Sequence, residues 1–553
     1  MSKPKASNLF VQCLQKEGVE RIFGLPGEEN DDLMLSLADS PIDFVLTRHE
    51  QGAAFMADVH GRLTGEAGVC LATLGPGATN LVTGVADANL DRAPVVAITG
   101  QADSMRLHKE SHQNMDVHEM YGPLTKWNWS LRNPNNIPEV IRKAFKLATT
   151  EKPGACHIEL AEDVAGMTAD TQPIEPQRLR RPVPADKIVD QAFEAILAAK
   201  RPIILAGNGA IRRRASRQLR RFVEATGIGV LSTFMAKGCV AREDPRCLFT
   251  IGLQARDVNL VAIEASDLVI TLGYDMVEYH PRLWNPGADK RIVHIDFLPA
   301  EVDHSYRVDV EVVGDLAHTL WMLNERVAAT PRLPEWDFSE QRAARHAMNR
   351  EFFEHRDDDT VGSIRPQKAI WDARLAMGPA DIVLSDVGAH KMWIARYYQC
   401  DDPNTCLIPN GFCSMGFALP GAIAAKLVHP ERRVLAICGD GGFLMNVQEM
   451  ETATRLGTNI VCLVWEDNSY GLIEWKQQNE HGRHVSLAFG NPDWVKLAES
   501  FGWAGQRVDR SRDLGAALEK AFAADRPALV VIPIDYRENA LLSERLGSLV
   551  HRI

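Results

Sequence analysis

The 553-residue sequence has no apolar run approaching the 18 or so residues that a membrane-crossing helix needs. Its opening, Met1-Ser-Lys-Pro-Lys-Ala6, lacks the apolar core of a secretory signal. Both absences lead us to expect a cytoplasmic protein with no membrane partner. Cations are in the minority: 61 Lys and Arg face 73 Asp and Glu, and the net charge of −12 argues against nucleic acid as a partner. The 10 cysteines include no C-x-x-C pair, and Cys438 and Cys462 fall inside apolar stretches. That distribution suits reduced core thiols rather than disulfides. His108 and His112 have helical spacing but no neighbouring Cys or third close ligand, which argues against zinc.

What is present is 45% hydrophobic and 24% charged, a soluble globular composition, with length for about three domains. In a first block, 1–170, strands are expected over 42–47, 69–74, 95–99 and 155–160, with helices near 5–17, 50–64, 77–90 and 137–149. A Pro-rich, charged stretch, 171–184, reads as a linker. A second block, 187–335, has strands at 202–206, 268–272 and 291–295. The polar stretch 330–360 is rich in Arg, Glu and His and is expected to link rather than build core. A third block, 361–545, has strands at 382–385, 434–438, 460–465 and 528–532. The expected fold class is α/β, with three doubly wound domains and mainly parallel sheets. The blocks are too dissimilar in sequence to be called a repeat.

The densest chemistry lies at Gly439-Asp440-Gly441-Gly442, which follows the apolar run Val434 to Cys438, and at Asp467-Asn468-Ser469-Tyr470-Gly471, which follows the next one. Each acid thus ends a buried strand, where open α/β sheets bind ligands. The glycines let the backbone approach an anion closely, and an amphipathic run to Gly457 would offer a helix N-terminus. Asp440 and Asp467 are hard oxygen ligands suited to Mg²⁺. These parts describe a Mg²⁺-diphosphate clamp, with a glycine turn and a helix-capping Asp as the bland alternative. The spacing, GDG and then an acid some two dozen residues later, resembles the thiamine diphosphate signature. By that resemblance Asp440, Asp467 and the Ser469 carbonyl hold the metal, and Gly439, Gly441, Gly442, Tyr470 and Gly471 line the diphosphate. Many family members carry Asn where this chain has Asp467.

Glu50 ends a strand and opens a helix, so by itself it is either a cap or a buried acid. Its surroundings, R-H-E-Q-x-A-A-F-M-A from Arg48, then G-R-L-T-G and L-G-P-G-A-T-N-L, resemble the pyrimidine-binding domain of acetolactate synthases. That match implies that Glu50 protonates N1′ of the aminopyrimidine, promoting the tautomer that deprotonates thiazolium C2. It also puts Gly75, Pro76 and Asn80 beside the cofactor. The stretch His112-Gln113-Asn114-Met115-Asp116 resembles the family's active-site loop, with Gln113 facing the reacting carbon and His112 near substrate. Lys126 matches another recurrent family position; its bland reading is a solvated loop lysine. Met415, in Asn410 to Pro420, is either core or the bulky residue that props the cofactor in its bent shape. Gly388 and His390 match a cofactor-facing turn, and Trp475 lies near an acceptor-selecting Trp of biosynthetic relatives.

Gly207-Asn208-Gly209 is a plausible nucleotide turn, though such turns are common. The segment Gly273-Tyr-Asp-Met-Val-Glu-Tyr279, with Trp284-Asn285, resembles the FAD-independent, catabolic acetolactate synthases rather than the flavin-binding type. The resemblance covers nearly the whole chain. It implies a homodimer with shared active sites, and a homotetramer as the larger assembly. It also implies thiamine diphosphate and Mg²⁺ without FAD, and a small 2-oxo acid substrate. The reaction expected is decarboxylation of pyruvate and joining to a second 2-oxo acid, giving 2-acetolactate and CO₂. The alternative is another thiamine-dependent decarboxylase or carboligase with a different acceptor. Pro26-Gly27-Glu28-Glu29 puts two acids where catabolic relatives have a Lys, which bears on that choice.

Overall fold

The computed structural model describes residues 3–177, 180–212, 214–252 and 257–546. By packing, the chain divides into two compact units. One joins residues 1–179 with 411–431 and 444–458; the other joins 180–410 with 432–443 and 459–553.

The first unit is built on a six-stranded parallel sheet. From edge to edge its strands are Asp43–Leu46, Arg21–Gly24, Gly68–Ala72, Val95–Gln101, Ala155–Ala161 and Trp127–Leu131. Gly68–Ala72 and Val95–Gln101 are buried on both faces, as central parallel strands must be. Helices Ala6–Lys16 and Ile137–Thr149 bury Phe10, Leu14, Ile141 and Phe145 against Val96, Ile98 and Ile158. Helix Glu50–Thr64 packs against Pro76–Leu90 and against Ala418–Val428, a helix from the last third of the sequence. Phe55 meets Phe417 edge-on at 5.6 Å, and Arg62 lies over the Phe417 ring at 5.1 Å.

The second unit carries two more six-stranded parallel sheets. One runs Val310–Val313, Arg291–Asp296, Leu268–Leu272, Pro202–Ala206, Val230–Ser232 and Cys247–Thr250. Alternation along its strands sends Ile204, Ile270 and Val293 to one core and Ile203, Val269 and Ile292 to another on the opposite face. The other runs Cys406–Leu407, Ile382–Ser385, Val434–Gly439, Val461–Glu466, Ala528–Pro533 and Ala504–Arg507. This order repeats that of the first sheet, a kinship of architecture that sequence dissimilarity hides. The middle sheet instead has the dinucleotide-fold order, its direction reversing between Pro202–Ala206 and Leu268–Leu272.

Two expectations change. The stretch 330–360 is no mere linker: helix Ser339–Glu354 buries Gln341, Ala344 and Met348, one face at i, i+3, i+7 spacing. Gln341 accepts from Gly229 N at 3.0 Å and donates to Pro202 O at 2.8 Å, tying this helix to the middle sheet. The helix after Gly439 is also shorter than the amphipathic pattern suggests. It spans only Asp440–Met445, and a separate helix, Glu449–Arg455, resumes in the other unit.

Candidate active site

In the second unit, two strand ends bring Asp440 and Asp467 together. Asp440 is buried, and its carboxylate organises the facing loop. Its Oδ1 accepts from Gly441 N at 2.9 Å. Its Oδ2 accepts from Asp467 N at 3.1 Å, Asn468 N at 2.7 Å and Asn491 Nδ2 at 2.7 Å. Burial, then the charge of Asp440 and the hydrogen bond to it, push the Asp467 carboxyl up to about 8. Two carboxyls sharing a half-buried site cannot both ionise cheaply without a cation. Among the described residues no group of three or more His, Cys, Asp or Glu could enclose a metal. The pair therefore suits an ion that completes its shell with carbonyls, water and a ligand's phosphates, which is how Mg²⁺ is usually held. The Ser469 hydroxyl donates to Glu474 at 2.6 Å.

The turn beside the acids is crowded enough to require glycine. A Cβ on Gly441 would lie 2.8 Å from the Tyr470 ring, and one on Gly442 3.0 Å from Asp386 Oδ1. At Gly439 it would lie 3.1 Å from the His390 ring, and at Gly388 2.8 Å from it. Gly471 backs onto Asp467 in the same way, 2.5 Å from Oδ2. His390 is buried, which pushes it down to about 3 and keeps the ring neutral. Its Nε2 is buried with no hydrogen-bond partner, a polar atom left for a ligand to satisfy. The residues thus fit a diphosphate held by two acids and a cation. Trp475 does not face this turn openly: it is buried in the core around Trp465 and Ile532.

In the first unit, Glu50 is the opening residue of helix Glu50–Thr64 and is 5% exposed. It is not the cap. His49 Nδ1 accepts from Gln51 N at 3.0 Å, which leaves the Glu50 carboxyl free for other work. Asn80 donates to Glu50 Oε2 at 2.9 Å from helix Pro76–Leu90, whose first residue is Pro76. The turn before Glu50 is held by Glu449, fully buried, which accepts from Arg48 N at 3.1 Å and His49 N at 3.0 Å. Gly75, at φ 48°, passes so close to the 103–116 loop that a Cβ would meet the Gln113 carbonyl at 2.7 Å. Gln113 therefore sits beside the Gly75-Pro76 turn, exposed; His112 is exposed too, and its carbonyl accepts from Arg106 at 3.1 Å. Lys126 does not join them. Its ammonium donates to the carbonyls of Leu147, Thr150 and Lys152 at 2.6–2.7 Å, which occupies all three of its donors.

Met415, half-buried, is positioned by a buried charge cluster. Arg62 bridges Asp58 and Asp91 at 2.5 and 2.6 Å, with Asp87 at 3.7 Å. Those same acids grip the backbone ahead of Met415: Asp91 accepts from Gly411 N at 2.5 Å and Asp87 from Ser414 N at 3.1 Å. On its other side Asn446 donates to Gly416 O at 2.8 Å. Sequence reasoning missed Asn491, Glu449 and this cluster. Only the motif-like Asn491-Pro492 turn carried any signal, and a weak one.

Comparison with known proteins agrees over the three sheets. Residues 4–120 match the N-terminal TPP binding domain of thiamine pyrophosphate enzymes, 189–323 the central domain and 386–532 the C-terminal TPP binding domain. The chain is 37% identical to the catabolic acetolactate synthase of Raoultella terrigena, with 99% of each chain covered. It is 34% identical to the acetolactate synthase of Bacillus subtilis (strain 168), over 98% of this chain and 96% of that one. To the probable acetolactate synthase large subunit of Methanocaldococcus jannaschii it is 35% identical, over 97% and 92%.

Proposed function

The chain belongs to the thiamine pyrophosphate enzymes, among the acetolactate synthases, and from that premise we propose that it joins two pyruvates into 2-acetolactate with release of CO₂. The observation that carries the cofactor reading is the Asp440–Asp467 pair brought together at two adjacent strand ends, where burial and then the neighbouring Asp440 raise the Asp467 carboxyl to about 8. Both acids and the Ser469 carbonyl would hold Mg²⁺, whose charge would offset their repulsion, and Gly439, Gly441, Gly442, Tyr470 and Gly471 would line the diphosphate. The buried Nε2 of His390, beside Gly388, is a polar atom that such a ligand would satisfy. Thiamine diphosphate supplies the electron sink for decarboxylation.

The remaining chemistry falls to side chains. Glu50, buried and oriented by Asn80, is suited to hold a proton at the pyrimidine edge, with Gly75 and Pro76 giving the ring close access. Met415, its backbone approach gripped through Asp87 and Asp91, would brace the cofactor. Gln113, with His112 next to it, orients the substrate carboxylate or the acceptor carbonyl. Trp475 acts through packing, and Lys126 by closing the end of helix Ile137–Thr149. We further propose a cytoplasmic homodimer with shared active sites, assembling to a tetramer.

FAD has no part in this reading, for a physical reason. At the reversal point of the middle sheet, where a dinucleotide's phosphates would take the N–H groups of a glycine turn, Asn208 N donates instead to Glu278 Oε1 at 2.9 Å. Thr233 donates to Oε2 of the same buried acid at 2.5 Å.

A second reading has one observation in its favour. Glu29 accepts from Thr73 at 3.0 Å, just before the Gly75-Pro76 turn, so an acid stands near the expected mouth. That would suit an acceptor less acidic than pyruvate. Incubating the protein, thiamine diphosphate and Mg²⁺ with pyruvate alone, then with 2-oxobutyrate, glyoxylate or an aldehyde, decides between them. Acetolactate from pyruvate alone supports the first reading; a ligated product only with a second acceptor replaces it.

A further inference from the structure

Away from both glycine turns, a cavity of about 340 Å³ lies between strand Cys247–Thr250 and the helices Ser339–Glu354 and Pro366–Leu375. It lies wholly within the second unit and contains none of the residues assigned above to cofactor or substrate. Its walls are aromatic. Phe352 stands edge-on to Phe249 at 4.9 Å and to Tyr397 at 5.7 Å, and Phe353 edge-on to Trp371 at 5.3 Å.

Into this apolar space come three guanidinium groups, from Arg242, Arg345 and Arg374, against a single lining acid, Glu243. Arg242 and Arg374 share Asp401 just outside, at 3.2 and 3.7 Å. Arg345 forms no ion pair with a carboxylate among the described residues, and its charge is felt at longer range by Asp244. It lies over the Phe249 ring at 4.9 Å and donates only to the carbonyls of Cys247 and Arg242, at 2.5 and 2.9 Å. Arg374 is buried, giving one Nη to Tyr398 Oη at 2.6 Å and the other to Met377 O at 2.9 Å. Its Nε has no partner, and neither does the buried Oε1 of Gln367 in the same lining. Buried cations and unsatisfied donors cost free energy that a matching anion recovers. Guanidinium forks recognise carboxylates in particular, and flat rings suit the aromatic walls.

We propose that this cavity is a binding site for an aromatic monocarboxylate. The carboxylate lies on Arg345 and Arg374, and the ring lies among Phe352, Trp371 and Tyr397. The volume is that of a small organic ligand rather than of a nucleotide chain. The binding does not depend on the reaction proposed above, and it is measured without turnover.

The test uses the full chain loaded with thiamine diphosphate and Mg²⁺. Calorimetric titration with trans-cinnamate is compared with its neutral counterpart, cinnamyl alcohol, and with inorganic phosphate. Cinnamate is expected to saturate one site per chain, about tenfold or more tighter than either control, the scale of one charge-assisted bidentate contact. Arg345→Met should lose that advantage. Leu375 lines the cavity and is 66% exposed, so Leu375→Glu and Leu375→Lys keep the fold. They should weaken and strengthen cinnamate binding respectively, by a few fold and less so at high salt, leaving the alcohol unchanged. The proposal is overturned if the alcohol binds as tightly as the acid. It is overturned equally if the two Leu375 variants shift binding in one direction, or if no saturation occurs by about 10 mM, the weak limit for a specific site. Loss of the cinnamate preference in Arg345→Met together with retained helicity supports it; an unaltered preference refutes it.

Discussion

Replacing Glu278 by Gln tests whether this acid is a built-in occupant of the dinucleotide crevice. Burial, partly countered by Thr233 and Asn208, raises its carboxyl from 4.5 to about 7. The folded protein therefore holds a proton there that the unfolded chain releases near 4.5. The stability that goes with this is fully present below the unfolded value and is lost as pH rises through the folded one. At 1.36 kcal/mol per pH unit, the loss between pH 4 and 8 comes to about 3 kcal/mol. Glutamine keeps both contacts, its oxygen accepting from Asn208 N and its amide donating to the Thr233 oxygen, but does not titrate. Urea midpoints of wild type and variant at a series of pH values give the difference directly. Wild type should lose about 3 kcal/mol relative to Glu278→Gln as pH rises over this window. A difference independent of pH, or one that grows in favour of wild type with rising pH, would refute the reasoning.

Four further outcomes are expected. Asp440→Ala should abolish Mg²⁺-dependent binding of thiamine diphosphate, and Asp467→Asn should weaken Mg²⁺ yet leave a working enzyme; metal titrations unchanged in both would put the clamp elsewhere. Glu50→Gln should slow H/D exchange at thiazolium C2 by about 10²–10⁴-fold while cofactor affinity holds, the range for a positioned acid–base group. Arg62→Met leaves Asp58, Asp87 and Asp91 uncompensated and should cost about 3–5 kcal/mol near neutral pH. Because burial already raises Asp58 and Asp87, that cost should shrink as acid protonates them, with amides 411–416 exchanging faster in the variant. The purified protein should be colourless, and a bound flavin whose removal ends activity would contradict the role given to Glu278.

Legibility in the sequence followed burial. Val461–Glu466 and Val434–Gly439 are continuous apolar runs because helices or neighbouring strands cover them on every side, so they announce themselves. Ala504–Arg507 and Trp127–Leu131 are edge strands with partly exposed, polar residues, and only their neighbours make them strands. Helix Ser339–Glu354 reads as a linker in the sequence because only three of its positions, Gln341, Ala344 and Met348, are fully buried, and the rest of its contact comes from half-exposed residues such as Arg345 and Phe352. In the site, glycine turns are legible since close backbone approach leaves glycine little alternative. Asn491 and Glu449 are not, because each acts on a turn far away in sequence, Asn491 on Asp440 and Glu449 on Arg48 and His49. The contacts of Lys126 are not legible either: a lysine in a loop carries no mark of the three carbonyls it closes.

The central claim is that two pyruvates are joined rather than one merely decarboxylated. It is tested most directly by the ratio of CO₂ released to pyruvate consumed, followed by NMR with labelled pyruvate, thiamine diphosphate and Mg²⁺. One CO₂ for every two pyruvates, with 2-acetolactate accumulating in step, is the predicted result. One CO₂ per pyruvate with free acetaldehyde, or no CO₂ at all, would contradict it.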